Sequence, residues 1–255
     1  MGIIGCKGFV GSAFHRIFSS DKKYEVVGLG REEYPNHIGE HFDIIINANG
    51  NSSKVLADKA PQKDFEMNVT STLKSLFDFK FDHYVHVSSI DVYNRKDAQN
   101  TREENFIHPE TLSNYGFSKY LSELIVKKRA TSWLILRLGG MIGENMKKGP
   151  VFDILNLGKI FVSSKSRFQF INTNEVASTA KLLVEKGRWN ETYNIVGDGT
   201  IELSEIAKLA GVKLGEEGEE TLVVDATCNK LKGETRISST IDTVKAFLTS
   251  RQNRN

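Results

Sequence analysis

The residues with the most evident chemical use are Tyr115 and Lys119, in the stretch Asn114-Tyr115-Gly116-Phe117-Ser118-Lys119. The pattern predicts a helix running to about Ala130, and residues four apart on a helix share a face, so the Lys119 ammonium comes within reach of the Tyr115 phenol. A free tyrosine has a pKa of about 10 and is a poor acid or base at neutral pH. A neighbouring cation favours the phenolate and draws the pKa toward the working range of general acid/base chemistry. One such pair in a chain with 7 tyrosines decides nothing alone. It gains weight from a glycine-rich turn at the N-terminus and from Ser88-Ser89 at the end of an apolar strand.

The elements that must position these residues follow in order. A short strand at Ile3-Ile4 runs into Gly5-Cys6-Lys7-Gly8-Phe9-Val10-Gly11, ahead of a helix at Ser12 to Phe18. Glycines three apart at a strand-to-helix turn let the backbone approach a pyrophosphate, whose charge faces the amides of the helix N-terminus. The second strand, Glu25 to Leu29, ends at Gly30-Arg31. Dinucleotide-binding units that select NAD carry an acidic residue here, whereas the first charged residue in this chain is Arg31, which suits a 2′-phosphate; Glu32 and Glu33 follow at once, and a solvated Arg31 is the alternative. Asp43 to Gly50 is a buried parallel strand entering a polar turn. A helix from Pro61 to Phe79 is expected to bury Phe65, Val69, Leu73, Leu76 and Phe77. Tyr84 to Ser89 is the next strand, with His86 read as a packed strand residue. Arg95 to Leu112 is a long polar loop of the kind that lies over a site. The Tyr115 helix is expected to bury Phe117, Leu121, Leu124 and Ile125, and Trp133 to Leu138 is a further strand.

This alternation predicts an α/β fold, a Rossmann-type doubly wound parallel sheet with helices on both faces. After Gly139 the pattern is less regular: short segments at Ile160-Phe161-Val162, Phe168 to Ile171 and Thr192 to Ile195 surround helices at Asn174 to Lys186, Ser204 to Ala210 and Thr240 to Leu248. The expected division is a dinucleotide-binding domain over 1–145, its sheet completed by later segments near 168–195. Residues 146–255 then form mainly a small C-terminal α+β substrate lobe, interleaved with the first.

Composition narrows the function classes. The chain has 255 residues, 39% hydrophobic and 26% charged, with 34 basic against 32 acidic side chains. A net charge of +2 without a basic block argues against nucleic acid as a partner. The tail Arg251-Gln252-Asn253-Arg254-Asn255 reads as a frayed terminus. Cys6 and Cys228 have no metal-ligand spacing and suggest no disulfide framework, so no metal is expected. No apolar run approaches about 18 residues, no signal peptide is evident, and the first strand begins almost at Met1. The expected location is the cytoplasm, with no membrane partner.

Together the motifs resemble an extended short-chain dehydrogenase/reductase of the NAD-dependent epimerase/dehydratase group, which acts on sugar nucleotides. The resemblance covers about residues 1 to 245. It rests on Gly5-x-x-Gly8-Phe9-Val10-Gly11, Asn68-Val69, Ser88-Ser89-Ile90-Asp91-Val92-Tyr93, Tyr115 to Lys119 with Glu123, Arg137-Leu138 with Gly143, Phe170 to Ala177, and Tyr193-Asn194-Ile195. It implies that Tyr115 is the acid/base, that Lys119 lowers its pKa and holds the nicotinamide ribose, and that Ser89 hydrogen-bonds the substrate oxygen. The implied cofactor residues are Gly5, Lys7, Gly8, Phe9, Val10, Gly11 and Arg31, then Asn47, Ala48 and Asn49 at the adenosine end, with Asn68, Val87 and Met141. Asp91 and Gly140 are expected on the substrate side.

Two departures shape the expected reaction. Dehydratases of the group place Asp-Glu where this chain has Ile90-Asp91, and the chain is short for an epimerase. Reduction of a keto-sugar nucleotide with NADP, NAD being possible, is therefore the expected reaction, and 4-epimerisation or dehydration the alternative. Some members of the superfamily are regulatory subunits that bind nucleotide without turnover, but the intact Ser89, Tyr115 and Lys119 favour an enzyme. Members often dimerise through the Tyr helix and the one before it, here Asn114 to Ala130 and Pro61 to Phe79, so a homodimer is expected.

Overall fold

β1 (Gly2–Ile4) leads through the glycine loop into α1 (Phe9–Ser19), followed by β2 (Val27–Leu29), a 3-10 turn at Tyr34–His37 and β3 (His41–Asn47). The computed structural model describes residues 1–252. The chain continues through α2 (Lys54–Lys59) into a helical stretch made of α3 (Pro61–Phe65), a π-helical turn (Glu66–Thr70) and α4 (Ser71–Asp78), and then β4 (Lys80–Ser89). A long segment separates β4 from α5 (Asn114–Arg129), which precedes β5 (Trp133–Leu138). Then come β6 (Gly140–Ile142), α6 (Pro150–Leu157), β7 (Arg167–Phe168), β8 (Phe170–Asn172), α7 (Thr173–Glu185) and β9 (Glu191–Ile195). β10 (Ile201–Glu202), α8 (Leu203–Ala210), α9 (Asn229–Lys232) and α10 (Thr240–Gln252) complete the chain.

Six strands form one sheet in the order β2-β1-β3-β4-β5-β9, and every pairing in it is parallel. The chain steps outward from β1 to β2 and then back across β1 to β3, so a topological switch point opens at the carboxyl ends of β1 and β3, where open α/β sheets bind ligands. The central strands are apolar because both faces are covered: Ile3, Ile45, Ile46, Val85, Leu134, Ile135 and Leu136 are fully buried. On one face Ile3, Ile46, Val85, Leu134 and Leu136 pack with Ala13, Phe14 and Phe18 of α1 and with Val176, Ala180 and Leu183 of α7, while Ile45 packs in a separate cluster with Leu29, Phe42, Phe79 and Val126. A separate core of Ile142, Val151, Ile154, Phe170, Leu203, Ile206 and Val244 builds the lobe around β6, β8, α6, α8 and α10. β6 and β8 pair in parallel, and β7 pairs with β10.

The opposite face of the sheet is polar at its centre. α3 and α4 bury Asp64, Thr72 and Ser75, with Asn68 and Val69 on the π turn between them. α5 buries Tyr115, Ser118, Lys119, Ser122 and Glu123. This departs in part from the expected core faces: Val69 is buried and Leu76 packs against a core cluster, but Phe65, Phe77, Phe117 and Leu124 are 42%, 65%, 38% and 42% exposed. The amphipathic pattern was real, but its apolar side points away from the sheet because the sheet side carries the polar residues of the site. Two smaller corrections apply. Ile160-Phe161-Val162 forms no strand, although Ile160 enters the lobe core. The tail is helical through Gln252, with Arg251 donating to Asn156 Oδ1 at 2.9 Å; Asn253, Arg254 and Asn255 lie outside the described residues. Among the described residues no helix is long and apolar enough to cross a membrane.

A buried ion pair fixes α5 to the sheet. Arg137 on β5 donates from Nε and Nη2 to the two oxygens of Glu123, at 3.0 and 2.7 Å, and the two side chains are 2% and 0% exposed. Ser88 at the end of β4 donates to the same carboxylate at 2.6 Å. The third guanidinium nitrogen donates to the Tyr93 hydroxyl, which donates to Asn194 on β9. Asn194 in turn holds the backbone of Thr101 in the long segment before α5, and accepts no slack there: Glu103 takes its backbone N–H at 2.9 Å. Removing one member leaves an uncompensated buried charge, whereas removing both can be nearly neutral. Arg137→Met should therefore lower stability by about 3–5 kcal/mol, and the double variant Glu123→Leu/Arg137→Met by less, as read by urea unfolding; equal losses would show that the charges matter little.

Candidate active site

The glycine loop and α1 form an anion cradle at the switch point. Gly5 has a φ of +77°, and a Cβ there would meet Ala48 and Asn49 at the end of β3 at 3.0 Å. A Cβ on Gly11 would sit 2.0 Å from the Gly5 carbonyl oxygen, so only glycine lets α1 start this close to β1. The first turn of α1 has neither a side-chain cap nor an acidic residue. Its amides face outward beside the positive end of the helix dipole, an arrangement that suits a phosphate.

The end of β2 differs from expectation. Arg31 is exposed, and the Glu33 carboxylate folds back over Gly30, where a Cβ would lie 2.3 Å from Glu33 Oε2. Lys7 in the glycine loop donates to Glu33 Oε1 at 2.6 Å, while Oε2 is buried with no hydrogen-bond partner. A carboxylate thus stands at the end of β2: of the two glutamates that follow Arg31, Glu33, four residues beyond the last residue of the strand, is the one that lies over Gly30.

Ser89, Asp91, Tyr115 and Lys119 come together at the carboxyl end of β4. Ser113 caps α5 by accepting the Gly116 N–H at 3.2 Å. A Cβ at Gly116 would fall 2.2 Å from the Asp91 carbonyl oxygen, so this glycine lets the first turn of α5 press against the turn that follows Ser89. Burial pushes the Tyr115 phenol up from its ordinary range, and the charges of Asp91 and Asp64 add to this; the hydrogen bond with Ser89 works the other way. Lys119 donates to the Val87 carbonyl at 3.1 Å, and burial brings its pKa down to about 8. In the protein alone burial dominates, and the phenol is held in its acid form.

Asp91 carries two lysines that the sequence reading did not single out. Lys54 of α2 reaches Asp91 Oδ1 at 2.8 Å, and Lys96 of the long segment reaches it at 3.1 Å. Burial alone would raise this carboxyl, but the two cations outweigh it and hold it below the usual carboxylate range. Ser89 Oγ donates to the other oxygen at 3.3 Å. The long segment thus lies against the site through Lys96, as its length suggested.

The remaining expected positions divide. Phe9 and Val10 open α1, and Ala48 and Asn49 flank Gly5. Val87 contributes its carbonyl oxygen to Lys119 while its side chain joins the core. Met141 packs against the same core from β6. Asn47 is buried beneath the edge of the cradle: its Oδ1 accepts the Asn49 N–H at 3.0 Å, and its amide donates to Tyr84 OH at 2.8 Å. Gly140 has a packing reason of its own, since a Cβ would lie 2.5 Å from the Gln169 carbonyl. Asn68 donates to Asp64 Oδ1 at 2.8 Å from the π turn, and π turns are frequent at functional sites. His86 is a buried strand residue, as read, but neither ring nitrogen has a hydrogen-bond partner.

A glycine cradle at the switch point of a parallel sheet, with a buried Ser/Tyr/Lys cluster beside it, is an arrangement that suits a bound dinucleotide. The model of the NAD dependent epimerase/dehydratase family matches residues 1–196, and the chain belongs to that family. No curated protein matches the sequence. Solved structures share the fold at low identity. A UDP-glucuronic acid 4-epimerase variant from Bacillus cereus, in complex with a fluorinated UDP-sugar and NAD, is 16% identical with a TM-score of 0.83, covering 100% of both chains. RMD from Pseudomonas aeruginosa, complexed with NADPH, is 20% identical with a TM-score of 0.80, covering 98% of this chain and 97% of that one. A dTDP-4-dehydrorhamnose reductase from Clostridium acetobutylicum is 15% identical with a TM-score of 0.80, covering 99% and 100%.

Proposed function

We propose that the protein transfers hydride between a nicotinamide cofactor and a carbonyl carbon of a nucleotide sugar, working as a keto-sugar reductase. The observation that carries this reading is the buried Tyr115 phenol beside Ser89, held in its acid form. When hydride reaches a carbonyl carbon its oxygen must take a proton, and a protonated phenol at that oxygen supplies it. Ser89 orients the oxygen, and Lys119 holds the cofactor's nicotinamide ribose. Asp91 argues against dehydration, because water loss needs a carboxyl that gives and takes protons, and Lys54 and Lys96 keep this one ionised. Residues 146–255, apart from α7 and β9, which belong with the main sheet, serve mainly as the substrate lobe.

The glycine loop, α1 and Ala48-Asn49 would hold the cofactor's pyrophosphate and adenosine. Arg31 led us to expect NADP(H), but the unpartnered Glu33 oxygen suits a ribose hydroxyl and would repel a 2′-phosphate, so we favour NAD(H). That same feature favours 4-epimerisation as the second reading, since an epimerase returns its hydride and keeps its cofactor.

The outward apolar faces of α3, α4 and α5 favour a homodimer. Phe65 and Phe117 line one hollow, Leu73, Leu121, Leu124 and Ile125 another. A second copy covers both helices at once and removes from water side chains that monomers seldom cluster at their surface.

Three measurements test these proposals. Tyr115→Phe should bind cofactor normally yet lose turnover at least about 10²-fold, with wild type consuming reduced nicotinamide in proportion to a nucleoside-diphosphate keto-sugar; interconversion of two nucleotide sugars without net cofactor change would establish the epimerase instead. By fluorescence titration wild type should bind NADH more tightly than NADPH, and Glu33→Gln should weaken NADH about tenfold, the loss of one charge-assisted hydrogen bond. Tighter NADPH binding that Arg31→Ala abolishes would return the choice to Arg31. Light scattering should give twice the 28.6 kDa chain mass, and Leu124→Asp should give the single mass.

A further inference from the structure

Asp64 is a carboxylate with no solvent exposure, on α3 behind the catalytic cluster. Its Oδ1 accepts from two neutral amides, Asn51 Nδ2 at 2.6 Å and Asn68 Nδ2 at 2.8 Å. Its Oδ2 is buried and has no hydrogen-bond partner. Among the described residues it makes no ion pair in direct contact, so it is a buried carboxyl group with one oxygen unpartnered.

Lys119 presents the converse case. It is 5% exposed, and its ammonium has one protein acceptor, the Val87 carbonyl, which leaves two N–H donors free. The two groups face one layer between α3, α5 and β4. Asn68, which holds Asp64, and Lys119 converge on Gly50: a Cβ there would lie 2.5 Å from Asn68 Oδ1 and 3.5 Å from Lys119 Nζ. Ser122, one turn beyond Ser118 on α5, clamps the π turn to α5 by donating to the Asn68 carbonyl at 3.1 Å.

Of the other titratable groups around Lys119, Glu123 alone adds to the support of its charge, and it does so less than Asp64. Glu123, one turn on, has both oxygens occupied by Arg137 and Ser88. Tyr115, one turn back, is held as a neutral phenol, and Asp91 beyond it is matched by two lysines. His86 on β4 is kept neutral by burial and by the Lys119 charge. A buried ammonium and a buried carboxylate are each strongly unfavourable alone, and their mutual attraction across a layer of low dielectric offsets part of both penalties.

We propose that Asp64 is the counter-ion of Lys119: a positioning residue that keeps the lysine charged and directs its free N–H donors toward the cofactor side of the layer. This rests on the hydride-transfer reading for its use, but not for its existence. The Asp64 charge raises the Lys119 pKa against the lowering by burial. Without it, the ammonium should be lost at lower pH.

The test reads the lysine directly. In ¹³C-lysine-labelled protein, the Lys119 Cε resonance, assigned by its absence from Lys119→Arg, should titrate near pH 8 in wild type. In Asp64→Asn it should titrate at least about one pH unit lower, the shift expected from removing a nearby opposite charge. The alkaline fall of kcat/KM should move by the same amount, while a residue that only supports the fold would lower Tm and leave both midpoints in place. An unchanged Lys119 midpoint in folded Asp64→Asn overturns the proposal. Should that variant not fold, the Asp64 Cγ resonance of wild type decides: a carboxylate signal at pH 7 supports the pairing and a protonated carboxyl refutes it. Lack of turnover on any nucleotide sugar, with the lysine shift intact, would count against the proposed reaction alone.

Discussion

The pairing of Arg137 with Glu123 is the constraint on which the site depends. Two charges removed from water are tolerable only when each is met in good geometry, and here the guanidinium fork grips both carboxylate oxygens. Because Glu123 lies one turn beyond Lys119 and two beyond Tyr115, its grip on β5 sets both the rotation of α5 and its height over the sheet. Ser88, adjacent to Ser89, joins the same carboxylate, so the strand end and the helix are referenced to one point. The guanidinium also reaches Tyr93, and through Asn194 the network extends to the segment that brings Lys96 to Asp91.

Much of this was legible in the sequence, and the parts that were share a physical character. Buried parallel strands read as continuous apolar runs, and the glycine loop read as a cradle because steric need is local: the Gly5 carbonyl leaves no room for a Cβ at Gly11, six residues away. The faces of α4 and α5 were misread for a different reason. Periodicity reveals that a helix has an apolar stripe, but not what covers it. The buried stripe on α5 instead reads Tyr115, Lys119, Ser122, Glu123, a set that looks solvated until its partners on β4, β5 and the π turn are known.

The pairings that escaped the sequence reading act over long separations in the chain. Lys54 meets Asp91 from 37 residues away, and Lys7 meets Glu33 from 26. No local spacing encodes such pairs, since they exist only once β1, β2, β3 and β4 lie side by side. Asp64 was more accessible in principle. It stands four residues before Asn68, and with Thr72 and Ser75 it continues a polar stripe along a helix whose other side is apolar. A charged residue on that stripe was open to reading as buried, had the stripe itself been assigned to the sheet.

The same requirement links the site to the outer surface. A helix has only one circumference, and α5 spends its sheet-facing side on the polar groups that hold and tune Lys119 and Tyr115. The apolar residues that α5 needs for docking elsewhere therefore fall on its far side, next to those of α3 and α4, where no other part of the described chain covers them. In a protein whose sheet face were apolar, these side chains would form the core and the surface would be polar. Here the burial of a charged layer displaces hydrophobic surface outward, so the polarity of the candidate site and the apolar character of the α4–α5 face are two consequences of one allocation of residues.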